Sequence, residues 1–240
     1  MPAPHDAGTS LGAAWHVDRV VLGHRRPLIA LPHLYLGPSF DEMTIEEELR
    51  GDKIGFTRPD DLPATVAALL SEGKVVGWFQ GGAEFGPRAL GNRSIIADPR
   101  SHKMQDLVNA CVKRREEFRP FAPSVLEEKA GEWFEGCDRS PHMILVFDVP
   151  EPLREQLPAT THVDGTARVH TVSAAANPLY HQLISEFDKL TGVPVILNTS
   201  FNVKGEPIVT TPREAVRTFF GTGMDALAIG PFLVRKDIPG

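Results

Sequence analysis

The 240-residue chain is expected to fold as an α/β domain around a mostly central sheet, and three observations carry that expectation. From residue 61 onward, apolar runs of strand length alternate with segments of helical periodicity. One run, Val193-Pro194-Val195-Ile196-Leu197, is apolar throughout, as strands covered on both faces are. The composition, 42% hydrophobic and 23% charged, leaves enough apolar surface to bury and excludes a disordered chain.

The elements run in order along the chain. Residues 1–24 hold a stretch of small residues, 6–14, that reads as a turn feeding a helix with Thr9 or Ser10 as N-cap. Residues 25–60 carry Pro27, Pro32, Pro38 and Pro59 and read as a linker packed on the main domain, with one short acidic helix at 41–49. The main domain is 61–240. It opens with a helix at 63–70 stopped by Gly73 and a buried strand at 74–79. A glycine-dense loop comes next, then a helix at 102–113 with Met104, Leu107, Val108 and Cys111 on its inner side. A short helix at 127–134 precedes strands at 143–149 and 168–172, the second opened by the turn 163–166. An amphipathic helix at 177–190 leads to the apolar strand 193–197. A helix at 211–220, with Pro212 in its first turn, precedes strands at 226–229 and 232–236.

Charge and cysteine content narrow the function. The net charge of −6 argues against a protein that binds nucleic acid by bulk charge. Two cysteines, Cys111 and Cys137, form no disulfide framework and suit a reducing cytoplasm. No apolar run is long enough to span a membrane, and no signal peptide is recognisable.

Against that acidic background, residues 84–119 carry a local excess of +3. Arg88, Arg93 and Arg119 lie among Gly, Pro, Phe and Asn, where backbone and guanidinium can approach one anion. The guanidinium fork matches phosphate or carboxylate oxygens. Arg114 and Arg100 read equally well as a solvated face. The polar run Asn198-Thr199-Ser200-Phe201-Asn202 succeeds the central strand, where open α/β sheets bind ligands. It could equally be a self-bonded turn. Arg168 stands at the start of a strand after Asp164-Gly165-Thr166. No Walker A loop, dinucleotide fingerprint or paired-histidine metal spacing is present. Cys111, Trp78 and Trp133 read as packing residues.

Five stretches follow one another along the chain: GWFQGGAEFGPRALGNRSI, VKRREEFRPFAPSVL, HVDGTARVHTV, GVPVILNTSFNVKGEPIV and TPREAVRTFF with Lys236. In this order they resemble the C-terminal half of the O-carbamoyltransferases, the family of nodulation-factor, tobramycin and cephamycin carbamoylation. The resemblance implies a YrdC-like twisted mixed sheet flanked by helices. It also implies a site that binds ATP, Mg²⁺ and carbamoyl phosphate and makes carbamoyl-adenylate. Lys113, Arg119 and Arg168 would be its catalytic cations. Arg88, Arg93, Asn198, Thr199, Ser200 and Asn202 would bind the nucleotide and the carbamoyl group. Arg114, where an aromatic is usual, and His170, where Gln is usual, are departures expected to leave this anion site untouched.

In the family an actin-like, metal-binding domain comes first, and Pro4-His5-Asp6-Ala7-Gly8 resembles its end. Asp6 would then be a metal ligand only alongside that missing domain, which would hold Fe²⁺ or another divalent ion and carry acceptor binding and the final transfer. An N-terminal carbamoyltransferase subunit and a homodimer are the implied partners. Two other readings stand beside this one: a YrdC-like RNA-binding protein of tRNA threonylcarbamoylation, and a non-catalytic remnant acting as a binding module.

Overall fold

The computed structural model describes residues 3, 6–25, 27, 31–114, 116 and 119–236. Arg115 and the Pro4–His5 pair of the N-terminal motif lie outside the described residues. The elements run α1 (Asp6–His16), α2 (Glu42–Gly51), β1 (Phe56–Thr57), α3 (Leu62–Ser71), β2 (Val76–Phe79), β3 (Arg93–Ala97), α4 (His102–Leu107) and β4 (Ala122–Leu126). They continue α5 (Ala130–Trp133), β5 (Val146–Asp148), α6 (Glu151–Arg154), β6 (Thr166–Arg168), β7 (His170–Val172), α7 (Pro178–Thr191), β8 (Val195–Ser200), α8 (Pro212–Phe220), β9 (Ala226–Ile229) and β10 (Phe232–Arg235).

The apolar run expected at the sheet centre is β8. An eight-stranded sheet takes the order β1-β10-β9-β2-β3-β8-β4-β7. It is mixed: β2–β9 and β4–β7 are parallel, and the other pairs are antiparallel. Side chains alternate across each strand and so feed two cores. On one face α3 and α7 bring Val66, Leu70, Leu183, Ile184 and Phe187 onto Val76, Trp78, Ile96 and Val195. On the other, Leu49, Val108, Val112, Val216 and Phe219 meet Phe79, Ile95, Leu197, Leu227 and Ile229. Helix ends are set locally. Asn177 and Thr211 cap the backbone N–H of Tyr180 and Glu214, and Gly192 at φ 73° closes α7 in the left-handed conformation.

Several readings shift. The N-terminal helix already starts at Asp6, so Thr9 and Ser10 lie inside it rather than at its cap. It passes into a π-helical turn, Val17–Val21, and leaves Val20, Val21 and Leu22 exposed. The helix from 102 also widens into a π-turn, Val108–Lys113. That turn places extra residues per revolution, so the inner face is Met104, Val108 and Val112, while Leu107 and Cys111 are exposed. Cys111 is therefore not a core residue. The strand expected at 168–172 is two strands: β6 pairs with β5 in a separate ribbon, and β7 joins the main sheet beside β4. Among the described residues no helix is long and apolar enough to cross a membrane.

Candidate active site

Antiparallel pairing of β8 with β3 and β4 brings the loops that precede those two strands to the C-terminal end of β8. There they bound an open cleft of about 680 Å³, lined by Arg88, Ala89, Arg119, Ala122, Met143, Arg168, Asn198, Thr199 and Ser200 among others. Three arginines from three separate segments face it, and none of the described lining residues is acidic. Burial alone lowers the Arg88 pKa, because no carboxylate among the described residues offsets the lost hydration. Its Nε is buried and without a partner among the described residues. Arg119 is half-exposed and pairs with Glu116 at 3.1 Å, an exposed contact that an incoming anion can displace. Arg168 donates from Nη2 to the Met143 sulfur at 3.9 Å. The site is a cationic, carboxylate-poor cleft suited to phosphate oxygens.

Arg93 belongs elsewhere, although only five residues from Arg88. As the first residue of β3 its side chain turns inward and is fully buried. Its guanidinium donates to the carbonyls of Gln80, Pro38, Gly81 and Asn92 and lies 3.6 Å over the Phe79 ring. Burial pulls its pKa down to about 10, against the pull of nearby Glu84, so it stays cationic. Arg93 thus holds the strand to the loop beside it and does not line the cleft. Glu84, which no motif singled out, does comparable work. Its Oε1 accepts from the backbone N–H of Leu90, Asn92 and Arg93 at 2.8, 2.8 and 3.1 Å and so folds the arginine-bearing loop. Burial nonetheless pushes its carboxyl above the usual range.

Lys113 ends the π-turn and is buried, 4% exposed. Its Nζ donates to Ser200 O (2.6 Å), Ser200 Oγ (3.0 Å), Asn202 O (3.1 Å) and Asn202 Oδ1 (2.6 Å). Ser200 Oγ also donates to Asn202 Oδ1 at 2.7 Å. The structure therefore gathers Lys113, Ser200 and Asn202 into one knot. Only Ser200 of the three lines the cleft, so Lys113 acts on it through the loop it ties.

Behind the cleft wall lies a buried polar chain that the sequence did not disclose. Asn198 Nδ2 donates to Ser124 Oγ at 2.9 Å, and Tyr180 Oη donates to the same oxygen at 3.3 Å. Ser124 Oγ stands 2.8 Å from His170 Nδ1. With both lone pairs of Ser124 in use, its proton goes to His170, whose Nδ1 must be unprotonated. Burial agrees, lowering the His170 pKa from 6.5 to about 3. His170 is thus one hydrogen bond removed from Ser124, the direct partner of the site residue Asn198, and closer than its reading as an incidental departure implied.

This yields a prediction. Below its unfolded pKa of 6.5 the imidazole binds a proton only in the unfolded chain, so its contribution to stability is present at pH 7.5 and falls with pH. The loss at pH 5 is about 2 kcal/mol. His170→Gln should flatten the fall in urea-unfolding stability between pH 7.5 and pH 5 by that amount; an unchanged slope would contradict a neutral His170.

Among the described residues no three His, Cys, Asp or Glu side chains cluster as metal ligands. Asp6 lies exposed in the first turn of α1.

The sequence matches the carbamoyltransferase C-terminus family over residues 67–236. Nodulation protein NolO of Bradyrhizobium diazoefficiens is 49% identical over 242 residues, which is 98% of this chain and 44% of that protein. The 3'-hydroxymethylcephem-O-carbamoyltransferase of Streptomyces clavuligerus is 36% identical over 98% of this chain and 43% of its own. The chain thus spans less than half the length of these curated relatives. Two solved structures share its fold at low identity. Full-length HypF has a TM-score of 0.51 at 20% identity, covering 78% of this chain and 22% of HypF. P. abyssi Sua5 has a TM-score of 0.51 at 16% identity, covering 70% of this chain and 46% of Sua5.

Proposed function

The chain belongs to the carbamoyltransferase C-terminus family, and on that premise we propose that its cleft binds ATP and carbamoyl phosphate and forms carbamoyl-adenylate. The observation that carries this reading is the convergence of Arg88, Arg119 and Arg168 beside Asn198, Thr199 and Ser200 in a cleft whose described lining has no acid. The solved relative HypF was captured with phosphate and a nucleotide, which agrees with such chemistry.

In this reading carbamoyl phosphate is hydrolysed to carbamate and phosphate. A carbamate oxygen then attacks the α-phosphorus of ATP, and pyrophosphate leaves. Negative charge on the phosphoryl oxygens is what the site must stabilise. Arg88, Arg119 and Arg168 supply the positive field. Thr199 and Ser200 orient phosphate oxygens, and Asn198 meets the carbamoyl group or the adenosine. Lys113 and Asn202 are positioning residues that hold Ser200 in place. Mg²⁺ would enter on the ATP phosphates, since the described cleft lining offers it no carboxylate. Transfer to an acceptor hydroxyl, of a sugar or of a natural product such as an antibiotic, is assigned to an N-terminal carbamoyltransferase domain or subunit. Asp6 would join a divalent metal site only there.

The test is ATP–[³²P]pyrophosphate exchange by the purified chain with Mg²⁺. Exchange that appears only when carbamoyl phosphate is added is the expected result. Exchange independent of carbamoyl phosphate, or none at all, would overturn adenylate formation by this chain.

A further inference from the structure

One side chain in the cleft wall has an unused pole. Asn198 is 1% exposed and lines the cleft. Both hydrogens of its amide are committed, to Ala89 O at 3.1 Å and to Ser124 Oγ at 2.9 Å. A backbone carbonyl can only accept, so the atom against Ala89 O must be the amide nitrogen, and the amide cannot turn over. Ser124 is itself held, taking the Tyr180 hydroxyl proton at 3.3 Å and giving its own to His170 Nδ1 at 2.8 Å. The orientation of Asn198 is therefore fixed from behind. Its Oδ1 is left buried with no partner among the described residues. A buried acceptor without a donor destabilises the free protein, and a ligand that brings an N–H to it relieves that penalty.

We propose that Asn198 Oδ1 selects the carbamoyl group by accepting a hydrogen bond from its amino nitrogen. This deepens the adenylation reading and rests on it. Carbamoyl phosphate and acetyl phosphate have nearly the same shape and the same phosphate, so Arg88, Arg119 and Arg168 treat them alike. They differ at one position, where an NH₂ that donates is replaced by a methyl that cannot. A site built around a substrate N–H rejects the analogue lacking it, because the buried protein group is then stranded. The charged end of the ligand thus supplies affinity and Asn198 supplies the choice of acyl group.

The experiment is calorimetric binding of carbamoyl phosphate and of acetyl phosphate to the whole chain, wild type and Asn198→Leu. The wild type should prefer carbamoyl phosphate by on the order of 10²-fold. In Asn198→Leu the ratio should collapse toward one, through weaker carbamoyl phosphate binding and unchanged or tighter acetyl phosphate binding. A wild type that binds both equally would overturn the inference and leave adenylation standing, and that comparison needs no variant to fold. A variant that keeps the full preference would also overturn it. A wild type that binds acetyl phosphate but not carbamoyl phosphate would remove both the inference and the reading beneath it.

Discussion

A Lys113→Met substitution is expected to lower the unfolding midpoint by about 6–12 °C and carbamoyl-phosphate-dependent pyrophosphate exchange by on the order of 10²-fold. The methionine keeps most of the stem volume and loses the ammonium. Four oxygens of Ser200 and Asn202 now lie within 3.1 Å of that group. Ser200 Oγ and Asn202 Oδ1 retain each other at 2.7 Å, but the two carbonyls lose their charged donor. The Ser200 carbonyl keeps the Asn202 N–H at 3.0 Å, so the loss is that of a charged donor to two half-buried carbonyls. A hydrogen bond to a charged group contributes about 1.5–3 kcal/mol, and a total near 3 kcal/mol sets the thermal shift. The backbone adds a second link, from Lys204 N to Lys113 O at 3.2 Å, so the loop will loosen rather than unfold. Exchange should fall further than stability alone explains, because displacing Ser200 by even 1 Å moves a cleft-lining hydroxyl out of reach of its phosphate. Calorimetric unfolding and pyrophosphate exchange on the same sample check both effects. Full exchange in the variant would remove Lys113 from the active-site argument; an unshifted midpoint would remove it from the loop.

How far the sequence disclosed this arrangement depended on the range of the interaction involved. The apolar run ending at Leu197 announced a central strand because both its faces are covered, and β8 is that strand. Pro212 marked a helix start by a local rule, and α8 begins there. β3 and β4 were hidden. Each is five residues long and buried on both faces, so neither shows alternation, and the adjoining Gly and Pro residues read as loop. Of the candidate residues, Arg88, Arg119, Arg168 and Asn198 to Ser200 lie on one cleft, whereas Arg93 does not. The difference between Arg88 and Arg93 is one of strand register: the second begins β3 and its side chain turns inward with the pleat. Glu84 and Ser124 carried no signal of their own and His170 showed only as a departure from the family pattern, since their partners lie in other segments and only the folded sheet brings Ser124 opposite His170. Cys111 was misplaced because a π-turn changes the helical period that the inner-face argument assumed.

Gly91→Ala is expected to have the largest effect on folding, a loss of more than about 4 kcal/mol, a large share of the roughly 5–15 kcal/mol that holds a typical domain together. Gly91 has φ +95°, a conformation that strains any L side chain. A methyl built there would stand 2.3 Å from Tyr180 Cδ1 and 2.6 Å from Cε1. The backbone cannot rotate away. Its N–H donates to Ser94 Oγ at 3.2 Å, and its carbonyl accepts from the Trp78 indole at 2.9 Å. Nor can the ring retreat, because Tyr180 is fully buried in the α3–α7 core and its hydroxyl is bonded to Ser124. The strain therefore spreads to the Ser124–Asn198 pair that shapes the cleft, joining the stability of the glycine-rich loop to the geometry of the site. Gly12→Ala is the control: Gly12 lies in α1 with nothing within 4 Å of an added methyl, and alanine there should be neutral or stabilise by up to about 1 kcal/mol. Soluble yield and urea-unfolding midpoints of the two variants make the comparison. A Gly91→Ala protein with a near wild-type midpoint would show that Tyr180 is free to move, and with it the Ser124 hydroxyl that orients Asn198.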